Sequence, residues 1–474
     1  MSKTPSLPPP DGASDQSTLF EMPPQNSGDP AKTPEPASGR PRLRQVNRGQ
    51  IEFRSLALDE LLPEDHKARL VWQYVEGLDL TSLYLRIAAV EGHVGRSPTD
   101  PKILMALWLY ATLDGVGAAR QLDRLCRDHV AYQWISGGVS MNYHTLADFR
   151  TAHPELLDGL LTTSVATLMH QELVDLNRVA QDGMRVRASA GSSSFRRRAT
   201  LEECLAEAKE QVETLRQELE ADPSSATRRQ QASRERAARE KAERIERALE
   251  ELAQVEQQKA ERAKRAGAAK QSPARASTTD PEARTMKIAD GGFRPAYNVQ
   301  FATATDAQVI VGVELTNAGS DNEQMTPMVE QIEARYGRAP GEHLVDGGFA
   351  TLEAIETVSA PEHGTVVYAP VKDEAKKREA GTDPFAAQPR DSVAVAAWRT
   401  RMGTPEAQTI YKERASTAEC VNAIARNRNM QQFRVRGLKK VLAVVLWYAL
   451  AHNLMRAVAL QAAALRASAE QTSG

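Results

Sequence analysis

Cysteine is scarce: Cys126, Cys204 and Cys420 are odd in number and far apart in 474 residues. No disulfide framework and no zinc-finger spacing can be built from them, which points to a reducing cytoplasm. Long hydrophobic runs are missing too. The longest, Leu442 to Leu450, is far shorter than the ~18 apolar residues a membrane span needs. The first residues lack the basic-then-apolar layout of a signal peptide. An excess of one charge is also absent: 60 Lys and Arg face 62 Asp and Glu, a formal net charge of -2. That excludes a uniformly basic nucleic-acid coat, so basic residues count by where they cluster. What is present, 41% hydrophobic and 26% charged residues, describes a globular protein with room for two or three domains.

Residues 1–48 are rich in Pro, Ser, Gly and Asp and predict a disordered tail, ending in Arg40, Arg42, Arg44 and Arg48, a run that is either solvated or in contact with phosphates. From 49 to 175 the pattern is helical. Ile103, Leu104, Leu107 and Tyr110 follow Pro98 and Pro101, both at home near a helix start. Arg120, Arg124 and Arg127 fall at i, i+4 and i+7 on one helix face, with Leu122 and Leu125 on another. Asn142 or Thr145 caps a further helix that carries His144 and Arg150. Such a bundle is a reasonable DNA-binding module, but without other evidence an ordinary bundle with a solvated arginine face is the preferred reading.

Near Val179 the period changes to strand alternation, through Asp182-Gly183 to Arg185 and Arg187. Residues 200–265 are different material. Leu201, Leu205, Ala208, Val212, Leu215 and Leu219 step by four and three, and Ala238, Ala242, Ile245, Leu249 and Leu252 resume the stepping after Asp222-Pro223-Ser224-Ser225. This predicts a coiled-coil hairpin inserted in a domain, packed on itself or on a second subunit. Strands are then expected at Tyr297–Ala304 and Val309–Leu315, a helix capped by Asp321 and Asn322 and stopped at Gly337, and a strand ending at Asp346. A helix from about 351, a strand over Thr365–Ala369, a polar insertion at 371–395 and a helix from Thr404-Pro405 through Glu419 complete the order. Asp290-Gly291-Gly292 repeats the Asp-Gly pattern, but Met286–Ala289 before it makes a weak buried strand, so it reads as a turn leading into Tyr297, and residues 461–474 as a flexible end.

Asp346 stands at the carboxyl end of a strand, where open α/β sheets put their chemistry, although Asp-Gly there is also an ordinary turn signal. With the hairpin set aside, the order β-β-β-α-β-α-β-α over 176–460 is that of an α/β (α+β) ribonuclease-H-like domain. Its carboxylates come from the first strand, the fourth strand and the last helix, here Asp182, Asp346 and Glu419. Three acids brought together raise one another's pKa unless a cation neutralises them, and two Mg²⁺ ions suit hard oxygen donors and phosphodiester chemistry. Glu413 competes with Glu419 but lies ~240° from it around an α-helix, whereas Tyr411 lies ~80° from Glu419. Arg414 either approaches a phosphate, holds a carboxylate or is a surface arginine.

These residues resemble a known family, the DDE transposases of bacterial insertion sequences, specifically the branch numbered eleven-eighty-two. The resemblance rests on Leu62-Pro63-Glu64-Asp65-His66, Gly95 to Pro101, His144 to Arg150, Asp182-Gly183, Asp280 to Arg284, Tyr297 to Gln300, Ser320-Asp321, Asp346 to Phe349, Tyr411-x-x-Arg414-x-x-x-x-Glu419, Arg436-Gly437-Leu438 and His452-Asn453, in that order. The related signature of a sister branch has one residue fewer between Arg and Glu. The resemblance implies binding of terminal inverted repeats, Mg²⁺-dependent cleavage (Mn²⁺ as substitute) and strand transfer to target DNA. Asp182, Asp346 and Glu419 would hold metal, with Tyr411 and Arg414 beside them, and Arg120, Arg124, Arg127, His144, Arg150, Arg185 and Arg187 would contact DNA. It also implies a homodimer or larger assembly on double-stranded DNA, in the cytoplasm of a bacterium and on its nucleoid when bound. A binding-only regulator or remnant, and a non-mobile nuclease of the same fold, are the alternatives.

Overall fold

The computed structural model describes residues 55, 57–89, 97–221, 225–266 and 272–472. The expectations for the 1–48 tail, for Gly95-Arg96 and for the break at Asp222-Pro223-Ser224 lie outside these residues. The chain divides after Ser55, and all that follows concerns the unit Leu56–Gly474.

The helical region contains α1 (Lys67–Glu76), α2 (Pro101–Leu113), α3 (Ala119–Asp128), α4 (Val130–Ser136), α5 (Tyr143–Ala152) and α6 (Pro154–His170). Pro101 opens α2 behind the Asp100 cap, and of the two caps considered for α5 it is Asn142 whose side chain accepts from the backbone N–H of His144 at 2.9 Å. On α3 Leu122 and Cys126 are buried and Leu125 is half-buried, which leaves Arg120, Arg124 and Arg127 on the outside.

The sheet follows: β1 (Arg178–Arg187), then the helical pair α7 (Arg198–Ala221) and α8 (Ser225–Ala266), then β2 (Arg284–Lys287), β3 (Phe293–Ala304) and β4 (Ile310–Thr316). Next come α9 (Met325–Tyr336), β5 (Glu342–Leu344), α10 (Leu352–Val358), β6 (Val366–Tyr368), α11 (Val393–Met402), α12 (Pro405–Arg414), α13 (Cys420–Asn427) and α14 (Leu438–Thr472). β1 lies in the middle, antiparallel to β3 and parallel to β5, and β5 is parallel to β6. β2 and β4 share the far edge of β3 at its two ends. Four differences from the sequence reading stand out. Arg284–Lys287 is a strand, not merely the approach to a turn. A short helix, Glu374–Glu379, lies within what was expected to be a polar insertion, and α11 begins at the insertion's end. The end expected to be flexible is helical as far as Thr472. And the boundary expected near 175 marks a change of secondary structure, not a break in the core.

That core is continuous. Trp108, Leu161 and Val165 of the helical region, Val186, Phe301 and Val311 of the sheet, and Val445, Trp447 and Tyr448 of α14 belong to one cluster of buried side chains. α14 is long and apolar enough to cross a membrane by length and composition, but 72% of its most apolar window is buried here as core. The opposite side of the sheet packs Leu344, Val345, Phe349, Ile355 and Val367 against Trp398 of α11. α7 and α8 run antiparallel, with Arg198 beside Glu256 and Lys209 beside Glu246, around Leu201, Ala208, Ala242, Ile245 and Leu252. Those are heptad positions read from the sequence, so the pair packs on itself at its base. It is tied to the sheet by an Arg284–Glu251 ion pair.

Candidate active site

Sheet register puts the first two carboxylates side by side. Ala180 pairs with Leu344 in the parallel β1–β5 ladder, so two residues further on Asp182 comes level with Asp346. Pairing with β5 ends at Leu344, and the backbone turns so that Gly348 N–H donates to Asp346 Oδ1 at 2.7 Å. A Cβ on Gly348 would sit 2.9 Å from that oxygen, whereas one on Gly347 would meet nothing within 4 Å. The close approach that glycine permits at 348 is therefore to the carboxylate itself.

Asp182 accepts from the Gly183 N–H at 2.9 Å and, through Oδ2, from Asn422 Nδ2 at 2.9 Å. Arg414 Nη1 lies 3.8 Å from its Oδ1. Burial pushes the Asp182 pKa up to about 6. Arg414 works against the rise, the neighbouring Asp346 charge adds to it, and the bonds from Gly183 and Asn422 oppose it. Asp182 is thus a half-protonated carboxyl near pH 6, beside a second carboxylate and beneath a guanidinium.

The third acid arrives by a device the sequence did not disclose. α12 runs into α13 through a π turn, Ala415–Glu419, which takes up one extra residue without ending the helix. Across it Arg414 Nη2 binds Glu419 Oε1 at 2.9 Å, a five-residue separation where α-helical neighbours are three or four apart. The wide turn absorbs the additional residue between Arg414 and Glu419 noted in the signature. Arg414 here contacts carboxylates, Glu419 closely and Asp182 more loosely, and it lies 5.9 Å from the Tyr411 ring. Burial raises the Tyr411 pKa, opposed by Arg414, with Asp346 and Asp182 adding to the rise. Glu413 is drawn away, accepting from Arg178 at 2.7 Å.

Asp321 and Asn422 were missed as members of this cluster. Asp321 does not cap α9, whose N-cap is Gln324. Its carboxylate accepts from Asn298 Nδ2 at 2.7 Å, Gln300 Nε2 at 2.9 Å and Arg185 Nη2 at 3.0 Å. A Cβ on Gly183 would overlap Asp321 Oδ1 and come within 2.6 Å of Gln300 Nε2, so this glycine makes room for Asp321. Behind it a buried polar chain continues from Gln300 to Gln181 at 3.2 Å and to His343 at 3.0 Å. Burial lowers the His343 pKa to about 4. Asn422 is buried three residues beyond Glu419, a spacing that would have marked it as a neighbour. Nothing in a strand–turn–helix reading singles out Asp321.

The residues expected to touch DNA divide into groups. Arg120, Arg124, Arg127 and His144 are exposed, with Arg120 over the Tyr143 ring at 4.9 Å and Arg127 paired to Asp123 at 3.0 Å. Arg150 is not part of that surface: it lies inward over Trp108 at 4.6 Å and donates to Gly117 O at 2.5 Å. Arg187 is exposed and Arg185 is half-buried against Asp321, and both line a cleft of about 430 Å³ with Lys287 and Arg426, next to Gly183. Among the described residues no group of three His, Cys, Asp or Glu side chains is arranged to hold a metal ion, and Arg414 contacts both Asp182 and Glu419.

Two family models match the chain: a transposase domain of the DUF772 type over residues 56–152, and a transposase DDE domain over residues 370–458. No curated protein and no solved structure matches significantly. The two matches fall on the helical region and on the segment that carries Arg414 and Glu419. Both are transposase domains, and together they support an insertion-sequence DDE transposase.

Proposed function

We propose that the chain binds the terminal inverted repeats of its element, cuts the phosphodiester at the ends and joins the freed 3′-hydroxyl to target DNA. The observation that carries this reading is the meeting of Asp182 on β1 and Asp346, just past the end of its parallel neighbour β5, with Arg414 at the end of α12 and Glu419 in the π turn. The strand order, with β1 flanked by antiparallel β3 and parallel β5, supports a ribonuclease-H-like domain interrupted by a coiled-coil hairpin. The shared order of motifs supports the branch numbered eleven-eighty-two.

The donor set fits a divalent ion in part. Asp182 and Asp346 offer hard oxygens whose mutual repulsion a cation would relieve, and they would hold Mg²⁺. Glu419 joins them only when its bond to Arg414 opens. Bound Mg²⁺ would lower the pKa of a water and neutralise charge on the phosphate. The chain's own side chains have separate tasks. Asn422 and the Gly183 N–H fix the Asp182 carboxylate in one orientation. Arg414, freed from Glu419, has a planar donor fork suited to the entering phosphate. The exposed arginines of α3 would hold the repeat, and joining two ends requires a homodimer or larger assembly.

The test compares wild type with Asp346→Ala and Glu419→Ala on repeat-ended duplex DNA with Mg²⁺. Cleavage should disappear in both variants while DNA binding survives. Undiminished cleavage in either variant overturns the assignment of that residue; in both, it overturns the reading.

A further inference from the structure

Arg150 of α5, Arg428 just after α13, and Arg434 line one narrow notch between the helical region and the loop that joins α13 to α14. No carboxylate lines it, and among the described residues none of the three arginines has an ion pair. Two of their N–H groups, Arg150 Nε and Arg428 Nη1, are buried with no hydrogen-bond partner. Arg434 is exposed at the rim, whereas Arg150 and Arg428 are partly buried, and partly buried cations with orphaned donors are unfavourable unless an anion completes the site. The repulsion is felt: burial, and next the charge of Arg434, lower the Arg150 pKa to about 10, and burial lowers that of Arg428.

The loop is held in place. Met430 N–H bonds Ala425 O at 2.9 Å and Asn429 N–H bonds Arg426 O at 3.0 Å, with Asn429 left-handed at φ 67°, which is the Schellman closure of a helix end. Asn429 Nδ2 also donates to Gly115 O of the helical region at 3.1 Å. Phe433 N–H bonds Arg187 O at 2.8 Å, which fastens the loop to the end of β1. Met430 lines both this notch and the basic cleft beside Gly183, so one short loop separates two arginine-lined recesses.

We propose that the Arg150–Arg428–Arg434 notch is a receptor for one backbone phosphate of DNA, on the strand that runs past the candidate active site between the sheet and the helical region. The proposal rests on the transposase reading above and adds to it a site away from the exposed face of α3. Arg150, fixed by Gly117 O and the Trp108 ring, anchors the notch, so the contribution of the phosphate is to register the strand against Asp182 and Asp346.

The experiment titrates wild type, Arg428→Gln and Arg434→Gln with repeat-ended duplex DNA at several KCl concentrations. Neutralising one phosphate fewer lowers the slope of log Kd against log salt by about 0.9. The slope is expected to fall by about that much in either variant, with weaker binding at every salt. In DNA-free protein, Arg428→Gln is expected to raise Tm, since it removes an unpaired cation, a gain that a merely structural arginine would not give. Unchanged slopes in both variants, against a wild type that binds DNA, overturn the notch and leave the transposase reading intact. A wild type with no salt-dependent DNA binding overturns that reading itself. A third arm adds inorganic phosphate: if it raises the Tm of wild type but not of Arg428→Gln while DNA binding is the same in both, the notch takes a free anion and the DNA assignment fails.

Discussion

Replacing Asp182 by Asn should stabilise the metal-free protein. The native carboxyl has its pKa pushed up to about 6 from an ordinary 3.8, so the folded chain favours the protonated form. The contribution of this group to stability is complete below about pH 4, diminishes as pH rises toward 6, and at neutral pH has become a penalty. At 1.36 kcal/mol per unit, that penalty is on the order of 3 kcal/mol. Asn at 182 carries no charge to desolvate. It also finds a partner, because Asn422 Oδ1 is buried without one and can accept from the new amide once Asn422 turns over. Unfolding entropy of about 2.1 cal/mol/K per residue, spread over 474 residues, converts 3 kcal/mol into a Tm gain of roughly 3 °C. Thermal melts of both proteins at pH 7.5 and pH 4, with EDTA and then with excess Mg²⁺, decide the matter. The gain should be full at pH 7.5 and absent at pH 4, and Mg²⁺ should stabilise wild type more than the variant. A variant no more stable than wild type at pH 7.5 refutes the electrostatic account of this carboxyl.

Gly183→Ala should destabilise by about 1–3 kcal/mol in urea titration, as overpacking does, because its Cβ collides with Asp321 and Gln300. Deleting Ala415 removes the extra residue of the π turn. With Glu413 anchored to Arg178 and Asn422 to Asp182, one anchor must then break, and cleavage should fall by about 10²-fold with DNA binding kept. His343 has a folded pKa of about 4 against 6.5, so the stability it contributes is present above about pH 6.5 and lost as pH falls toward 4. His343→Gln should flatten the urea midpoint between pH 7 and pH 4, by a share only, since burial lowers the His452 pKa to about 4 as well.

Most strands could be read from the sequence because alternation and turn residues are local properties. Asp182 and Asp346 were legible as a pair only through the order of elements, which implied parallel neighbours before any distance was known. β2 was not legible, since Met286 is the one buried residue in its four positions and it exists by pairing with Phe293–Ala296. Asp321 looked like a helix cap because its partners, Arg185, Asn298 and Gln300, lie on other strands. The π turn depends on anchors at both ends of a helix, and sequence periodicity has no term for that. The inward placement of Arg150 is not legible, because the indole of Trp108, 42 positions earlier, is invisible to helical phase.

The shared core has a consequence for how the protein is made. The helical region is complete in sequence by His170, yet it shares its core with α14, where Trp447 Nε1 reaches Arg150 O at 2.9 Å. On a ribosome adding 5–20 residues per second, the nascent helices wait roughly 15–50 s for Leu438. A product cut short before that point leaves the region with its core open. Premature stops in such an element should therefore yield chains that are cleared, not inhibitors that occupy the repeats.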